Sequence, residues 1–175
     1  MSSRHPRTPG THRPSFAVFD IDGVLADVRH RLHFVAQRPK DWSSFFAAAV
    51  NDLPLDEGVQ RAHSARAMGQ TIVYLTGRPE NYRAATTTWL ATFGLPGGDL
   101  HMRRADDHRP ARHTKVAVLR ELAKAGDIVE FVDDDLAVID AVRAAGFAVH
   151  HATWMIVTPD EQGELFDAQE TDGRS

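Results

Sequence analysis

Short apolar runs ending in acids or turn residues punctuate this chain. They are Phe16-Ala17-Val18-Phe19, Thr71-Ile72-Val73-Tyr74-Leu75, Ile128-Val129-Glu130-Phe131-Val132 and, more weakly, Phe147-Ala148-Val149-His150. Each is too short for a helix and predicts a buried strand. Residues 57–68, 81–93, 114–125 and 136–145 are patterned as helices, and each is followed by a glycine (Gly69, Gly94, Gly126, Gly146) as the expected stop. Residues 100–103 offer one more strand. The alternation predicts an α/β fold, Rossmann-like, with three α/β/α layers around a mostly parallel sheet. Residues 27–56 break the alternation and read as a small helical cap inserted after the first strand, with its helix around residues 42–50.

Polar residues gather where the strands end. The first run ends in Asp20-Ile21-Asp22-Gly23, the second in Thr76-Gly77-Arg78 and the run at 128–132 in Asp133-Asp134-Asp135, while Lys115 opens an intervening helix. Ligands of open α/β sheets bind beyond the carboxyl ends of the strands. These residues are therefore expected to meet at one edge. Crowded carboxylates repel one another, and a hard cation such as Mg²⁺ relieves that repulsion while admitting a phosphate oxygen. Asp20, the backbone carbonyl of Asp22, and Asp133 or Asp134 are the expected ligands. Asp20 is the candidate nucleophile, forming an aspartyl-phosphate. Asp22 is the candidate general acid and base. Thr76 and Lys115 are placed to hold phosphoryl oxygens. Each motif alone also reads as a turn, a helix cap or a surface charge. Their joint occurrence at sheet ends carries the inference.

The 175 residues are a one-domain length of ordinary globular composition. With no cysteine, disulfides, thiolate metal sites and cysteine catalysis are excluded. The longest apolar run, residues 45–50, falls far short of the roughly 20 residues of a membrane span. A cytoplasmic protein is expected. Residues 1–14 carry three arginines and no acid, and residues 159–175 carry six acids and one arginine. Both are expected to be disordered tails, basic and acidic, flanking a domain over residues 15–158. The body between them is close to neutral, so contact with nucleic acid should be local rather than along a broad basic face.

With its motifs in this order, the sequence resembles the haloacid dehalogenase-type phosphohydrolases. Asp20-Ile21-Asp22-Gly23-Val24-Leu25 is similar to that superfamily's first motif, Thr76 to its second, Lys115 to its third and Val132-Asp133-Asp134 to its fourth. The second aspartate, Asp22, is the mark of its phosphatases. A narrower resemblance is to the 3'-phosphatase domain of polynucleotide kinase-phosphatases. It rests on residues 25–31, Thr76-Gly77-Arg78-Pro79-Glu80, Met102-Arg103-Arg104, Arg109-Pro110 and Phe131-Val132-Asp133-Asp134. This resemblance implies substrate-binding roles for Arg31, Gly77, Arg78, Arg103 and Arg104. One position departs from it: where the family often has an acid four residues before the lysine, this chain has Ala111, so Lys115 is expected to lean on Asp133 or Asp135. No Gly-x-x-x-x-Gly-Lys-[Ser/Thr] loop occurs, so neither a kinase domain nor a nucleoside triphosphate cofactor is expected.

The substrate stays open at this level. Residues 101–115 hold five basic residues and read either as a grip on a phosphate flanking the scissile one or as a solvated loop answering Asp106 and Asp107. His30 and His33 read as ordinary histidines rather than a metal pair, and Trp42, Phe45 and Phe46 as cap packing rather than a stacking platform. Three functions compete: a Mg²⁺-dependent phosphatase of polynucleotide 3' ends, DNA or RNA; a small-molecule nucleotidase; and a binding module that keeps the fold without the chemistry. The sequence sets no oligomeric state.

Overall fold

The computed structural model describes residues 13–36, 38–104 and 106–155. The expected tails lie almost wholly outside these residues. Of the N-terminal stretch, Arg13 donates to Ala123 O and Pro14 O accepts from Asp127 N, so both residues are tied to the domain.

In chain order the elements are β1 (Ser15–Phe19), β2 (Ala26–Asp27), a 3-10 turn (Arg29–Arg31), α1 (His33–Ala36), α2 (Trp42–Ala47), a second 3-10 turn (Ala48–Asn51), β3 (Leu53–Pro54), α3 (Asp56–Ala67), β4 (Thr71–Pro79), a third 3-10 turn (Glu80–Tyr82), α4 (Arg83–Thr92), β5 (Gly98–Arg103), α5 (Ala111–Ala125), β6 (Asp127–Asp133), α6 (Leu136–Ala144) and β7 (Val149–His151). Five strands form one parallel sheet in the order β5-β4-β1-β6-β7. β1 lies at its centre, so Asp20 leaves the sheet between the ends of β4 and β6.

Alternation along the strands sorts the core into two layers. Ala17, Phe19, Ile72 and Tyr74 face the side holding Ala62, Ala65, Trp89 and Leu90 of α3 and α4. Phe16, Val18, Val73, Leu75 and Phe131 face Leu119 of α5 and Val138 and Val142 of α6. The expected three-layer fold is what the chain adopts.

Two strand and helix limits differ from the sequence reading. β4 continues through Thr76-Gly77-Arg78 to Pro79, where it pairs with Arg103 after a register shift. Of these turn-like residues Pro79 has a pairing partner in β5, and Thr76-Gly77-Arg78 form the irregularity across which the register shifts. α5 begins at Ala111, which puts Lys115 in its second turn rather than at its start.

Residues 27–56 do form a cap on the antiparallel stem of β2 and β3. Trp42, Phe45 and Phe46 are buried against one another and against Val28, Leu32, Val35 and Leu55. They are packing, and no ring is left open for a base.

Gly69, Gly94 and Gly146 end their helices in the left-handed conformation, whereas Gly126 is extended. Gly126 is needed for close approach: a Cβ there would stand 2.3 Å from Pro14 O and 2.5 Å from Phe16 Cε2. Gly126→Ala is expected to cost about 1–3 kcal/mol by forcing backbone apart. Urea unfolding checks it, and an unchanged midpoint would mean that β1 yields without loss.

Candidate active site

β1 ends in a tight loop that aims its acids. Asp20 N donates to Val132 O (2.9 Å), and its carboxylate accepts from Ile21 N (2.7 Å). Ile21 O then accepts from Leu25 N and Ala26 N, both at 2.8 Å. Gly23 turns this loop at φ 76°, and a Cβ there would stand 2.1 Å from Asp134 Oδ2. Only glycine satisfies both demands.

Lys115 reaches in from α5, almost fully buried, and donates to Asp20 Oδ2 (2.6 Å) and Asp133 Oδ2 (2.8 Å). Of the two acids expected to replace the one missing at Ala111, Asp133 does so. Asp135 instead caps α6 through the N–H groups of Ala137 and Val138. Ala111 itself is buried in the apolar layer. Burial would push the Lys115 ammonium down, but Asp133 and Asp20 outweigh it and hold the pKa well above its usual value.

Carboxylate oxygens of Asp20, Asp133 and Asp134 lie within 4.8 Å of one another. Burial pushes Asp20 up to about 7, with Lys115 opposing and Asp133 adding to the rise. Asp134 is raised well above the ordinary range, by burial and then by Asp133 and Asp20. A compact set of hard oxygen donors, each strained by its neighbours' charge, fits a hard divalent cation. The Asp22 carboxylate stands outside this group, so only its backbone carbonyl is left as a candidate ligand.

Asp22 is gripped from the opposite side. Its Oδ1 accepts from Arg31 Nη2 (2.8 Å), Arg78 Nε (2.9 Å) and Arg78 Nη2. Burial alone would raise this acid, but Arg31 and Arg78 hold it down at about 2. Both guanidiniums are buried, and both are also held by Asp52. Arg31 and Arg78, for which the resemblance implies substrate binding, grip these two carboxylates here. Arg31 additionally lies over the Phe45 ring at 4.1 Å.

Asp52 is the residue that sequence reasoning missed. Its buried side chain accepts from Arg31 Nε and Nη2 at 2.8 Å each and from Arg78 Nη2 at 2.7 Å. It also meets His30 Nε2 at 2.8 Å, which settles His30 as its neighbour rather than half of a histidine metal pair. Its backbone carbonyl accepts from Trp89 Nε1.

Thr76 and Gly77 are buried at the end of β4, and Thr76 Oγ1 accepts from Arg78 N (3.2 Å). Arg103 is buried at the end of β5, whereas Arg104 is exposed and paired with Asp106. The structure therefore brings together Asp20, Asp22, Thr76, Lys115, Asp133 and Asp134, with Arg31 and Arg78 behind Asp22. It leaves Arg104, one residue beyond the end of β5, exposed on the rim. No helix is long and apolar enough to cross a membrane among the described residues.

Comparison with known proteins agrees with this geometry. The chain is similar to a protein of the Pnkp1/Rnl/Hen1 RNA repair complex, with 23% identity and a TM-score of 0.67 over 86% of this chain and 46% of that one. It is similar to the class C acid phosphatase of Bacillus anthracis with tungstate bound, with 19% identity and a TM-score of 0.63 over 94% and 77% of the two chains. It also resembles a HAD-like phosphatase from Mesorhizobium loti, with 19% identity and a TM-score of 0.54 over 98% and 93%. The chain spans about half the length of the repair-complex proteins it matches. No curated protein matches it. The model of the polynucleotide kinase PNKP phosphatase domain matches residues 14–153, most of the chain. A phosphatase site of haloacid dehalogenase type, on a sheet of that type, matched over nearly the whole described domain, makes this chain a member of the polynucleotide kinase phosphatase-domain family.

Proposed function

We propose that this phosphatase is a Mg²⁺-dependent, cytoplasmic phosphomonoesterase that removes 3'-phosphate from polynucleotide ends through an aspartyl-phosphate on Asp20. One observation carries the reading: two aspartates two residues apart stand in opposite environments, Asp20 against Lys115 and Asp22 against two arginines. Two carboxylates held in different surroundings suit different roles, here nucleophile and proton carrier.

Asp20 attacks phosphorus, the P–O ester bond breaks, and the leaving oxygen takes a proton from Asp22. Asp22 then takes a proton from water, whose oxygen attacks phosphorus; the bond to Asp20 breaks and inorganic phosphate leaves. Lys115 keeps Asp20 aligned and neutralises charge beside it. The three bonds to Asp22 all fall on Oδ1, which leaves Oδ2 to move the proton.

In isolation the two acids have the wrong order, about 7 for Asp20 and about 2 for Asp22. A cation held by Asp20, Asp133 and Asp134 would lower Asp20 and neutralise phosphoryl charge. An anionic phosphoryl group beside Asp22 competes for its arginines and raises it, so the acid is armed by its own substrate. A binding module would need neither aspartate in this arrangement, which weighs against that reading.

The polynucleotide substrate is supported by the family and by the repair complex named for the similar structure, which concerns RNA. The test is Mg²⁺-dependent phosphate release, with EDTA as blank, from 3'-phosphorylated DNA and RNA oligonucleotides, their 5'-phosphorylated twins and 3'- and 5'-mononucleotides. A preference of about a hundredfold or more for the 3' strand end is expected. Preference for mononucleotides would make this a nucleotidase instead.

A further inference from the structure

Asp135 follows two acids of the candidate cation site and is itself only 1% exposed. Its Oδ1 is spent on the cap of α6, accepting from Ala137 N (2.8 Å) and Val138 N (3.4 Å). Its Oδ2 is buried and meets no donor, the one buried carboxylate oxygen so placed among the described residues. Leaving a buried oxygen without a donor is costly, the more so when it carries charge. Capping does not explain the choice of residue. Asparagine or serine would cap α6 as well and leave no anionic oxygen behind.

The orphaned carboxylate lies beside the cation site without belonging to the ligand set. Asp135 N donates to Asp133 Oδ1 (3.0 Å), while Lys115 holds Asp133 Oδ2. The charge of Asp135 adds to the rise of both Asp133 and Asp134, which burial begins. Burial likewise raises Asp135, Lys115 opposes this and Asp20 adds to it. Yet the oxygens that stand within 4.8 Å of one another come from Asp20, Asp133 and Asp134, and none from Asp135. A cation of the Mg²⁺ type keeps several waters, and a water on such a cation is a stronger donor than a free one. A carboxylate one layer outside the ligands is the matching acceptor.

We infer that Asp135 is a positioning residue of the cation site, its Oδ2 accepting a hydrogen bond from a water held by the cation while its Oδ1 caps α6. This rests on the divalent-cation reading above and carries it one layer beyond the ligands. Its consequence is orientation. One pinned water fixes how the other positions around the cation face the phosphoryl group at Asp20. Asp135 thereby makes the first turn of α6 part of the site, although none of that helix's side chains is a ligand.

The experiment measures Mg²⁺ binding to the full chain by calorimetry, as wild type, D135N and D135S, with thermal unfolding in EDTA beside it. A crystal structure of the wild type loaded with Mn²⁺ then looks for the water. Both variants keep a capping oxygen, so in EDTA D135N is expected to unfold at or above the wild-type temperature and D135S close to it. Their Mg²⁺ affinity is expected to fall by about tenfold to a hundredfold. The crystal should show a water on the cation within about 2.5–3.0 Å of Asp135 Oδ2. Undiminished affinity in the variants overturns the inference. So does weaker binding without a bridging water, which would make Asp135 a distant charge, and so does direct coordination by Oδ2. Should one variant prove less stable in EDTA, the other variant and the wild-type crystal decide. A wild type that binds no Mg²⁺ at all overturns the cation reading itself and takes the inference with it, a result distinct from variants that bind as tightly as the wild type.

Discussion

Asp20→Asn is expected to lower phosphate release by about 10⁴-fold or more, because an amide cannot form the acyl-phosphate. The fold should survive. The substitution is isosteric, a side-chain oxygen can still accept from Ile21 N, and Lys115 keeps Asp133. What the variant loses is one of several crowded charges, and this gives the prediction a second readout. Folding raises Asp20 from the usual 3.8 to about 7, so below pH 4 the acid is protonated folded or unfolded and costs nothing. As pH rises toward 7 the unfolded chain ionises first, and the wild type loses stability across that window. Asn escapes the loss. In EDTA, the stability of Asp20→Asn relative to wild type should therefore climb between pH 4 and pH 7 and level off above. Thermal unfolding across that range, beside phosphate release at pH 7, checks both halves. Turnover within tenfold of wild type would remove Asp20 as nucleophile. A relative stability flat with pH would mean that Lys115 fully offsets the crowding.

The catalytic edge was legible because a parallel sheet leaves little freedom. Once the runs ending at Phe19, Leu75 and Val132 are buried parallel strands, the residues after them must emerge on one side. The stretch after Leu75 was harder to read. Gly77 and Pro79 signal a turn, yet β4 runs on to Pro79, which pairs with Arg103 of the edge strand β5 beyond an irregularity at residues 76–78. Arg103 and Arg104 were grouped together from sequence, although the strand expected over residues 100–103 ends between them and only Arg103 is held by the sheet. Asp52 carried no local signal at all. It lies in a short polar stretch before Leu53-Pro54 that reads as a turn, thirty positions from Asp22. The available clue was indirect: Arg31 and Arg78, two arginines for which the resemblance implies a place at the site, bring more positive charge than Asp22 alone can balance. The cap holds few acids to make up the difference, and only folding shows that Asp52 is the one.

Removing that carboxylate should have the second-largest effect. Arg31 and Arg78 are buried, and they share two acids, Asp22 and Asp52. Asp52→Ala leaves two guanidiniums facing Asp22 alone, and breaking a buried pair of this kind costs about 3–5 kcal/mol. It also opens the structure at a particular place. Arg31 and Asp52 belong to the cap, whereas Asp22 and Arg78 belong to the sheet, so the four side chains are the polar joint between the two. Activity should fall as well, by about a hundredfold in kcat, because Asp22 then holds both cations unaided and is pinned in its ionised form. His30→Ala is the natural contrast. His30 meets the same carboxylate at 2.8 Å, but its side chain is 42% exposed, so it is expected to cost less than about 1 kcal/mol. Urea unfolding and aryl phosphate hydrolysis of the two variants separate the cases. If Asp52→Ala proves as mild as His30→Ala, the arginines do not need a second acid and the cap is not held to the chemistry through them. If Asp52→Ala loses stability while kcat is kept, Asp52 secures the cap without orienting Asp22, and the proton-transfer geometry must rest on Arg78 from the sheet side alone.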